Sequence, residues 1–382
     1  MSSETSGSAC ALRLLLISGS YPPMRCGVGD YTRCLAESLA DRSDVSLRVL
    51  TTVSAPSPDG DPPWLHRAMP NWRLTALGPY LGLLREFQPD IVHIQYPTRG
   101  YSVWSGPAIL PVLARAWGRA SVVQTWHEYP YPASTRAGCA MLVLAAAASA
   151  LIYVRPDYPQ HINETLSMLL GRAKRHFVPN ASVVPAVQLA DQERAQTRAD
   201  LGCGERRLIA FFGFAHPQKG VDRLFHIADP TRDHLVLIGE LHENDPYHAH
   251  LIRVATSPPW RGHVTFSGFV EPARAAHLLA SADAAVFPFL EGGGVWNSSV
   301  HAAVSQGTFT LLTSRERSGY SVTENVYYAI PSGVDQMRVA LTQHVGTRIP
   351  PDTIAGWDTI AKRHIEIYAD VCQPVQDKDA RR

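Results

Sequence analysis

Two stretches in the second half of the chain carry residues suited to a charged, hydroxyl-rich ligand. In "FFGFAHPQKGVDRLF" an apolar run ends at Gly213, and Lys219 stands one residue before Gly220 and a helix-like segment. A lysine there can neutralise a phosphate that a helix N-terminus also attracts, the arrangement a departing diphosphate needs. In "FPFLEGGGVWNSSVHAAVSQG", Glu291 is followed directly by Gly292, Gly293 and Gly294. A carboxylate only accepts hydrogen bonds, so beside accessible backbone N–H groups it suits a ligand whose hydroxyls both donate and accept. Three glycines carry an entropic cost that is justified when the bare backbone is needed. Ser298 or Ser299 is placed to cap the following helix, and Gly307 to end it. The plainer alternatives are a solvated surface lysine and a tight turn with an incidental glutamate.

The first half offers weaker signals. In "SYPPMRCGVGDYT", Gly27 and Gly29 precede a helix-like run, which lets the backbone approach a phosphate or sugar; a turn required only by geometry reads the same way. Thr32 breaks the full G-x-G-x-x-G pattern and counts against a nicotinamide dehydrogenase. "TWHEYPYP" sets His127 and Glu128 just after a strand-like run, where an imidazole can bond a sugar hydroxyl or serve only structure. "HIQYPTRGYS" adds Gln95, Tyr96 and Arg99 as acceptor-pocket candidates.

These residues follow strand-like segments, and the segments alternate with helical ones. "LRLLLISGS", "VSLRVLTTV", "DIVHIQY", "SVVQTWHE" and "SALIYV" read as strands, with "DYTRCLAESLA" and "LTALGPYLGLLREF" as helices between them. After a polar stretch from residue 179 to 205 the pattern restarts with "RLIAFFGF", "GVDRLFHIA", "HLVLIGE", "HVTFSGF", "ARAAHLLASA", "AAVFPF" and "TFTLLTS". A chain of 382 residues exceeds one ordinary core. The expectation is an α/β protein with two parallel sheets, a first domain over 1–185, a second over 186–355, a closing amphipathic helix over 356–371 returning to the first, and a tail over 372–382. Ligand sites in such sheets lie at the carboxyl ends of the strands.

Composition excludes other classes. With 35 basic against 34 acidic residues there is no field to attract nucleic acid, and any membrane contact is at most peripheral, through a patch such as "RAKR" at 172–175. The six cysteines have no C-x-x-C pairing and read as reduced thiols. The apolar run 12–17 is short and lacks the basic flank of a signal peptide, and residues 140–154 fall short of the roughly 20 a bilayer requires. The expected location is the cytoplasm, reaching to the inner face of the membrane.

In this order the pieces resemble the retaining GT-B glycosyltransferases of family 4. The carriers are the Gly27/Gly29 loop, "PDIVHIQY", "TWHEY", "GFAHPQKGVDRL", "VTFSGFV" leading to "LLASADAAVFPF", and the Glu291 loop ending in "AAVSQGTFTLLTS", together covering residues 12–368. The resemblance implies two Rossmann-like domains facing across a cleft, and transfer of a hexosyl-type sugar from a UDP- or GDP-sugar to an acceptor hydroxyl with retention. It implies Lys219 on the donor diphosphate, Glu291 and the following amides on the donor sugar, and His127 in a catalytic role, with Gly27, Gly29, Gly213, Gly292, Gly293, Gly294 and Ser299 around the donor. Gln95, Tyr96, Arg99 and Glu128 would serve the acceptor: a glycan, a lipid-linked sugar or a small molecule. Two departures stand out. The family's phosphate-binding arginine matches Phe214, with Arg315 the candidate substitute, and its second loop glutamate matches Ser299.

No cofactor beyond the donor and no metal is expected. The Asp-x-Asp patterns at 59–61 and 377–379 fall in a Pro-rich loop and the tail, unlike the strand-end metal site of GT-A enzymes. The competing readings are a GT-B-fold sugar-nucleotide epimerase and a noncatalytic sugar-nucleotide-binding subunit.

Overall fold

The computed structural model describes residues 11–57, 60–101, 105–129, 131–132, 135–171, 173–350 and 356–372. The chain divides into two compact units, one reaching Pro179 and resuming at Trp357, the other running Asn180–Gly356.

In the first unit, β1 (Leu12–Ile17), β2 (Val45–Thr52), β3 (Leu65–Met69), β4 (Ile91–Tyr96), β5 (Ser121–Trp126), β6 (Ala150–Tyr153) and β7 (Lys174–Phe177) form one sheet in the order β3-β2-β1-β4-β5-β6-β7. Every pairing is parallel. Helices α1 (Gly27–Ala40), α2 (Gly78–Phe87), α3 (Ser105–Trp117), α4 (Arg136–Ala147) and α5 (Glu164–Leu170) make the crossovers. Leu14, Leu15, Leu16 and Ile17 are all fully buried, which is why this part of β1 reads as a continuous apolar run: a central parallel strand is covered on both faces. The 140–154 run resolves into the end of α4 followed by β6.

The second unit opens with α6 (Asp191–Asp200) and continues β8 (Arg207–Phe212), α7 (Leu224–Ile227), β9 (Asp233–Ile238), α8 (Pro246–Thr256), β10 (Val264–Gly268), α9 (Pro272–Ser281), β11 (Ala284–Phe287), α10 (Ser298–Val304), β12 (Thr310–Thr313), β13 (Gly319–Ser321), β14 (Val326–Ala329) and α11 (Val334–His344). Its strand order is β10-β9-β8-β11-β12-β14-β13, with only β13 antiparallel.

The closing helix α12 (Trp357–Cys372) belongs to the first unit. Ile360, Ala361, His364, Ile367 and Tyr368 recur at helical spacing and are all buried. Among the described residues no helix is long and apolar enough to cross a membrane. In both sheets the order reverses beside the first strand, between β1 and β4 and between β8 and β11, and loops diverge there to leave room for a ligand.

Strands β3, β7, β13 and β14 add to those read from sequence. All lie in the outer part of a sheet, and β7, "KRHF", is largely exposed, so it shows no apolar pattern. Of the "RAKR" patch, Arg172 lies outside the described residues, Lys174 is tied to Asp370, and Arg175 bonds Ser167 Oγ at 3.1 Å. Asp59, the 377–379 triplet and the tail beyond 372 also lie outside them, while Asp61 is paired with Arg67 at 2.8 Å.

Candidate active site

Lys219 and Glu291 sit on the loops that leave β8 and β11, the two strands flanking the reversal in the second sheet. The loops are stitched together. Leu290 N donates to Gln218 O at 3.0 Å, and a Cβ on Gly220 would lie 2.3 Å from the Pro288 carbonyl oxygen, so only glycine fits there, at φ +61°. Lys219 Nζ lies 4.1 Å from the centre of the Phe289 ring, a cation–π contact that holds the ammonium toward the Glu291 loop. The ligand-facing backbone differs from expectation. Lys219 closes a 3-10 turn (Pro217–Lys219), and a second such turn (Val221–Arg223) leads into the single-turn α7, so no long helix adds its dipole behind the lysine.

The glycine triplet also differs. Gly292 N bonds Phe289 O at 3.2 Å, Gly293 N bonds Thr313 O at the end of β12 at 2.8 Å, and Gly294 N bonds Asn297 Oδ1 at 3.0 Å, so all three amides are already engaged within the protein. Close packing explains the glycines. A Cβ would strike the Phe289 ring at 2.6 Å from Gly293 and the Trp296 ring at 1.9 Å from Gly294, while Gly292 has φ +77°. The loop is thus a compact pedestal that leaves the Glu291 carboxylate exposed. That carboxylate pairs with Arg315, and at side-chain exposures of 70% and 63% the pair is readily exchanged for a ligand. Arg315 therefore stands at the carboxylate, while Phe214 remains exposed at the arginine position of the resemblance.

Ser299 lies opposite Gly213, its Cβ 3.5 Å from where a Gly213 Cβ would be. Neither Ser298 nor Ser299 caps α10: they are its first two residues, and Asn297 is the N-cap, with no capping bond from its side chain to the helix. Gly307 follows α10 in the left-handed region at φ +67°. The sequence reading missed Gly239, which packs against Gly213: its Cβ would lie 2.4 Å from Gly213 O. The signal was available, since the runs forming β8, β9 and β10 all reach glycine, at Gly213, Gly239 and Gly268.

In the first unit, Gly27 and Gly29 are the first and third residues of α1 rather than a loop before it. A Cβ on Gly29 would lie 3.2 Å from the Ser20 carbonyl carbon, so the glycine lets α1 pack against the loop after β1, while Gly27 has open space. Asp30, in the same first turn, was not singled out; burial pushes its carboxyl up to about 6 against the opposing pull of Arg33. Tyr31 stands edge-on to His127 at 4.9 Å, bringing α1 and the β5 loop together.

His127 Nε2 lies 2.8 Å from Gln95 Oε1, and burial, with nearby His364, pulls the imidazole down to about 3, so it is neutral at ordinary pH. The acceptor candidates separate. Arg99 and Glu128 are exposed, Glu128 accepting from the Tyr131 hydroxyl. Gln95 is fully buried between His93 and His127, and Tyr96 is 4% exposed in the core, stacked on Tyr101, so neither is open to a ligand. Residue type at a strand end pointed to them; the inward direction of β4 was not visible in sequence. Among the described residues no group of three His, Cys, Asp or Glu side chains could hold a metal ion.

Two doubly wound units of this kind define the GT-B fold. Residues 26–209 match the family model described as "Glycosyl transferase 4-like domain". Solved structures with the same fold include sucrose-phosphate synthase from Thermosynechococcus elongatus (TM-score 0.71, 16% identity, covering 94% of this chain and 99% of that one). HepE from Anabaena, in complex with UDP and glucose, gives TM-score 0.63 at 15% identity over 95% of this chain and 97% of that one. The catalytic domain of starch synthase IV from Arabidopsis thaliana, bound to ADP and acarbose, gives 0.65 at 13% identity over 95% and 99%. No curated protein matches the chain in sequence.

Proposed function

We propose that the chain is a glycosyltransferase that moves a hexosyl-type sugar from a UDP- or GDP-sugar to an acceptor hydroxyl with retention of anomeric configuration. One observation carries the reading: a lysine and an exposed carboxylate on two interlocked loops at the strand-order reversal of the second sheet. A cation beside a hydroxyl-binding acid fits the two halves of a nucleotide sugar. Support also comes from the glycosyl transferase 4-like domain and from structural neighbours that hold UDP with glucose, or ADP.

In this mechanism the bond between the anomeric carbon and the diphosphate oxygen breaks as the acceptor oxygen bonds to the same face. The acceptor proton passes to the departing phosphate, whose growing charge Lys219 stabilises. Glu291 accepts hydrogen bonds from donor hydroxyls, displacing Arg315, and Gly213 with Ser299 adjoins the nucleotide. The first unit serves the acceptor through Arg99 and Glu128, with neutral His127 bonding a hydroxyl. The acceptor is a glycan, a lipid-linked sugar or a small molecule, and we place the protein in the cytoplasm with at most peripheral membrane contact.

The test is incubation with a panel of nucleotide sugars while following free nucleoside diphosphate with and without candidate acceptors. Acceptor-dependent release, with a product of unchanged anomeric configuration by NMR, is expected. Isomerisation without acceptor would establish an epimerase, and binding without turnover a noncatalytic subunit. The expected dependence on metal is nil, because the phosphate charge is met by the lysine. Treatment with EDTA followed by dialysis should leave the rate within about twofold, well under the tenfold that corresponds to about 1.4 kcal/mol of barrier, and complete loss restored by Mg²⁺ would contradict it.

The buried histidines make a separate prediction about stability. Burial is the leading cause that holds His127 near 3, His364 near 4 and His93 well below its ordinary value. The unfolded chain takes up these protons near pH 6.5, while the folded chain refuses them until far lower pH. Stability should therefore fall steadily as pH drops from 6.5 toward 4. Asp30, raised to about 6, acts the opposite way over part of that range but is one group against three. Thermal melts between pH 7.5 and 4.5 check this, and an unchanged midpoint from pH 7 to 5 would contradict a neutral-histidine core.

A further inference from the structure

Behind His127 runs a line of polar groups that the mechanism above does not use. The Tyr368 hydroxyl on α12 lies 2.6 Å from His93 Nδ1 on β4. His93 Nε2 lies 2.8 Å from Thr125 Oγ1 on β5 and 3.2 Å from the Gln95 side-chain nitrogen. The other end of that amide, Gln95 Oε1, lies 2.8 Å from His127 Nε2. Tyr368, His93, Thr125 and Gln95 are all fully buried, so water cannot replace any of these contacts.

With the Gln95 amide in this orientation, the protons follow from its two ends. The Gln95 amide nitrogen only donates, so His93 Nε2 must accept, and the His93 proton sits on Nδ1 and is given to the Tyr368 oxygen. Gln95 Oε1 only accepts, so His127 carries its proton on Nε2 and keeps Nδ1 as a lone pair. His127 Nδ1 has no hydrogen-bond partner among the described residues. Turning the amide over would reverse each assignment, so the line has two proton arrangements.

The groups facing His127 from its neighbours are Tyr31 on α1, His364 on α12, and the exposed Glu128 next in sequence. Tyr31 OH lies 3.4 Å from His364 Nε2, and His364 Nδ1 donates to Ile360 O at 2.8 Å, so His364 is also a neutral ring. With the imidazole neutral across the ordinary pH range, its tautomer rather than its charge decides what it offers a ligand.

We propose that the C-terminal helix is the positioning element for His127: through Tyr368, His93 and Gln95 it holds the imidazole as the Nε2–H tautomer, presenting Nδ1 to a substrate hydroxyl as an acceptor. This rests on the reading of His127 as a ligand-contacting residue, and it makes Tyr368, from the far end of the chain, part of the same device. Removing the Tyr368 oxygen leaves the His93 Nδ1–H buried without an acceptor, a rare and unfavourable state, and so favours the reversed arrangement.

The test is long-range proton–nitrogen NMR on the full chain labelled with ¹⁵N-histidine, the His127 signals being identified by their absence in His127→Gln. The wild-type ring should be protonated at Nε2 and bare at Nδ1 from pH 8 to 5, and Tyr368→Phe should move it toward the Nδ1–H form. A wild-type ring protonated at Nδ1, or at both nitrogens, would overturn the proposal, as would a Tyr368→Phe spectrum unchanged at His127. If Tyr368→Phe does not fold, the wild-type spectrum alone decides. The readout needs no turnover, so a failure of the transferase reading would show in the nucleotide-release assay and not here.

Discussion

Replacing Lys219 with alanine is expected to lower turnover by about 10²–10³-fold, the usual loss when a preorganised group facing developing charge is removed. The lysine is half-buried at a loop and lies outside the apolar core, so the melting temperature should hardly move. Its position is set from both sides, by the bond from its own N–H to His216 O at 2.8 Å and by the Phe289 ring beneath the ammonium. Lys219→Arg keeps the charge but needs more room, and should recover only part of the rate, because a planar fork does not replace a compact ammonium. Steady-state rates with a nucleotide sugar, beside a thermal melt, check both statements. A rate for Lys219→Ala close to wild type would remove the lysine from the mechanism.

The second large effect is expected at Glu291. A hydrogen bond to a charged group contributes about 1.5–3 kcal/mol, so Glu291→Ala should reduce kcat/KM about 10- to 100-fold while stability stays level. Stability is insensitive because the ion pair broken is the exposed one with Arg315. Arg315→Ala then separates two roles. If the arginine merely occupies the carboxylate until substrate arrives, its loss leaves the rate near wild type. If it takes over the phosphate contact that Phe214 cannot make, its loss approaches that of Lys219→Ala. A Glu291→Ala enzyme with unaltered kcat/KM would mean that the exposed acid of the pedestal loop does not touch the donor.

The sequence revealed what depends on burial of both faces of a strand. The run at 284–287 is apolar throughout, and those at 12–17 and 91–96 are mostly so, because parallel central strands are covered on each side. Outer strands follow other rules. Lys174–Phe177 is mostly exposed, and Gly319–Ser321 is only three residues long, so neither carries a period to read. Lys219 and Glu291 were legible because a strand end, a glycine and a charge coincide at each.

The purpose of the three glycines was harder to see. A glycine left open for a ligand and one squeezed by a neighbour look alike in sequence, and here Phe289 and Trp296 press on Gly293 and Gly294. Gln95 shows the same limit for polar residues. Its type suggested a sugar contact, but it lies on β4 between two histidines, engaged at both ends of its amide. The partner at the far end of that line, Tyr368, is 275 residues from His93, a separation that no local pattern encodes.

The measurement that bears most directly on this account is a crystal structure with an intact, non-transferable nucleotide sugar. The account predicts a pyrophosphate oxygen about 2.7–2.9 Å from Lys219 Nζ, as expected for a charge-assisted bond, with a donor hydroxyl on Glu291 and Arg315 displaced from it. A nucleotide sugar bound elsewhere, with Lys219 and Glu291 both remote from it, would contradict the account.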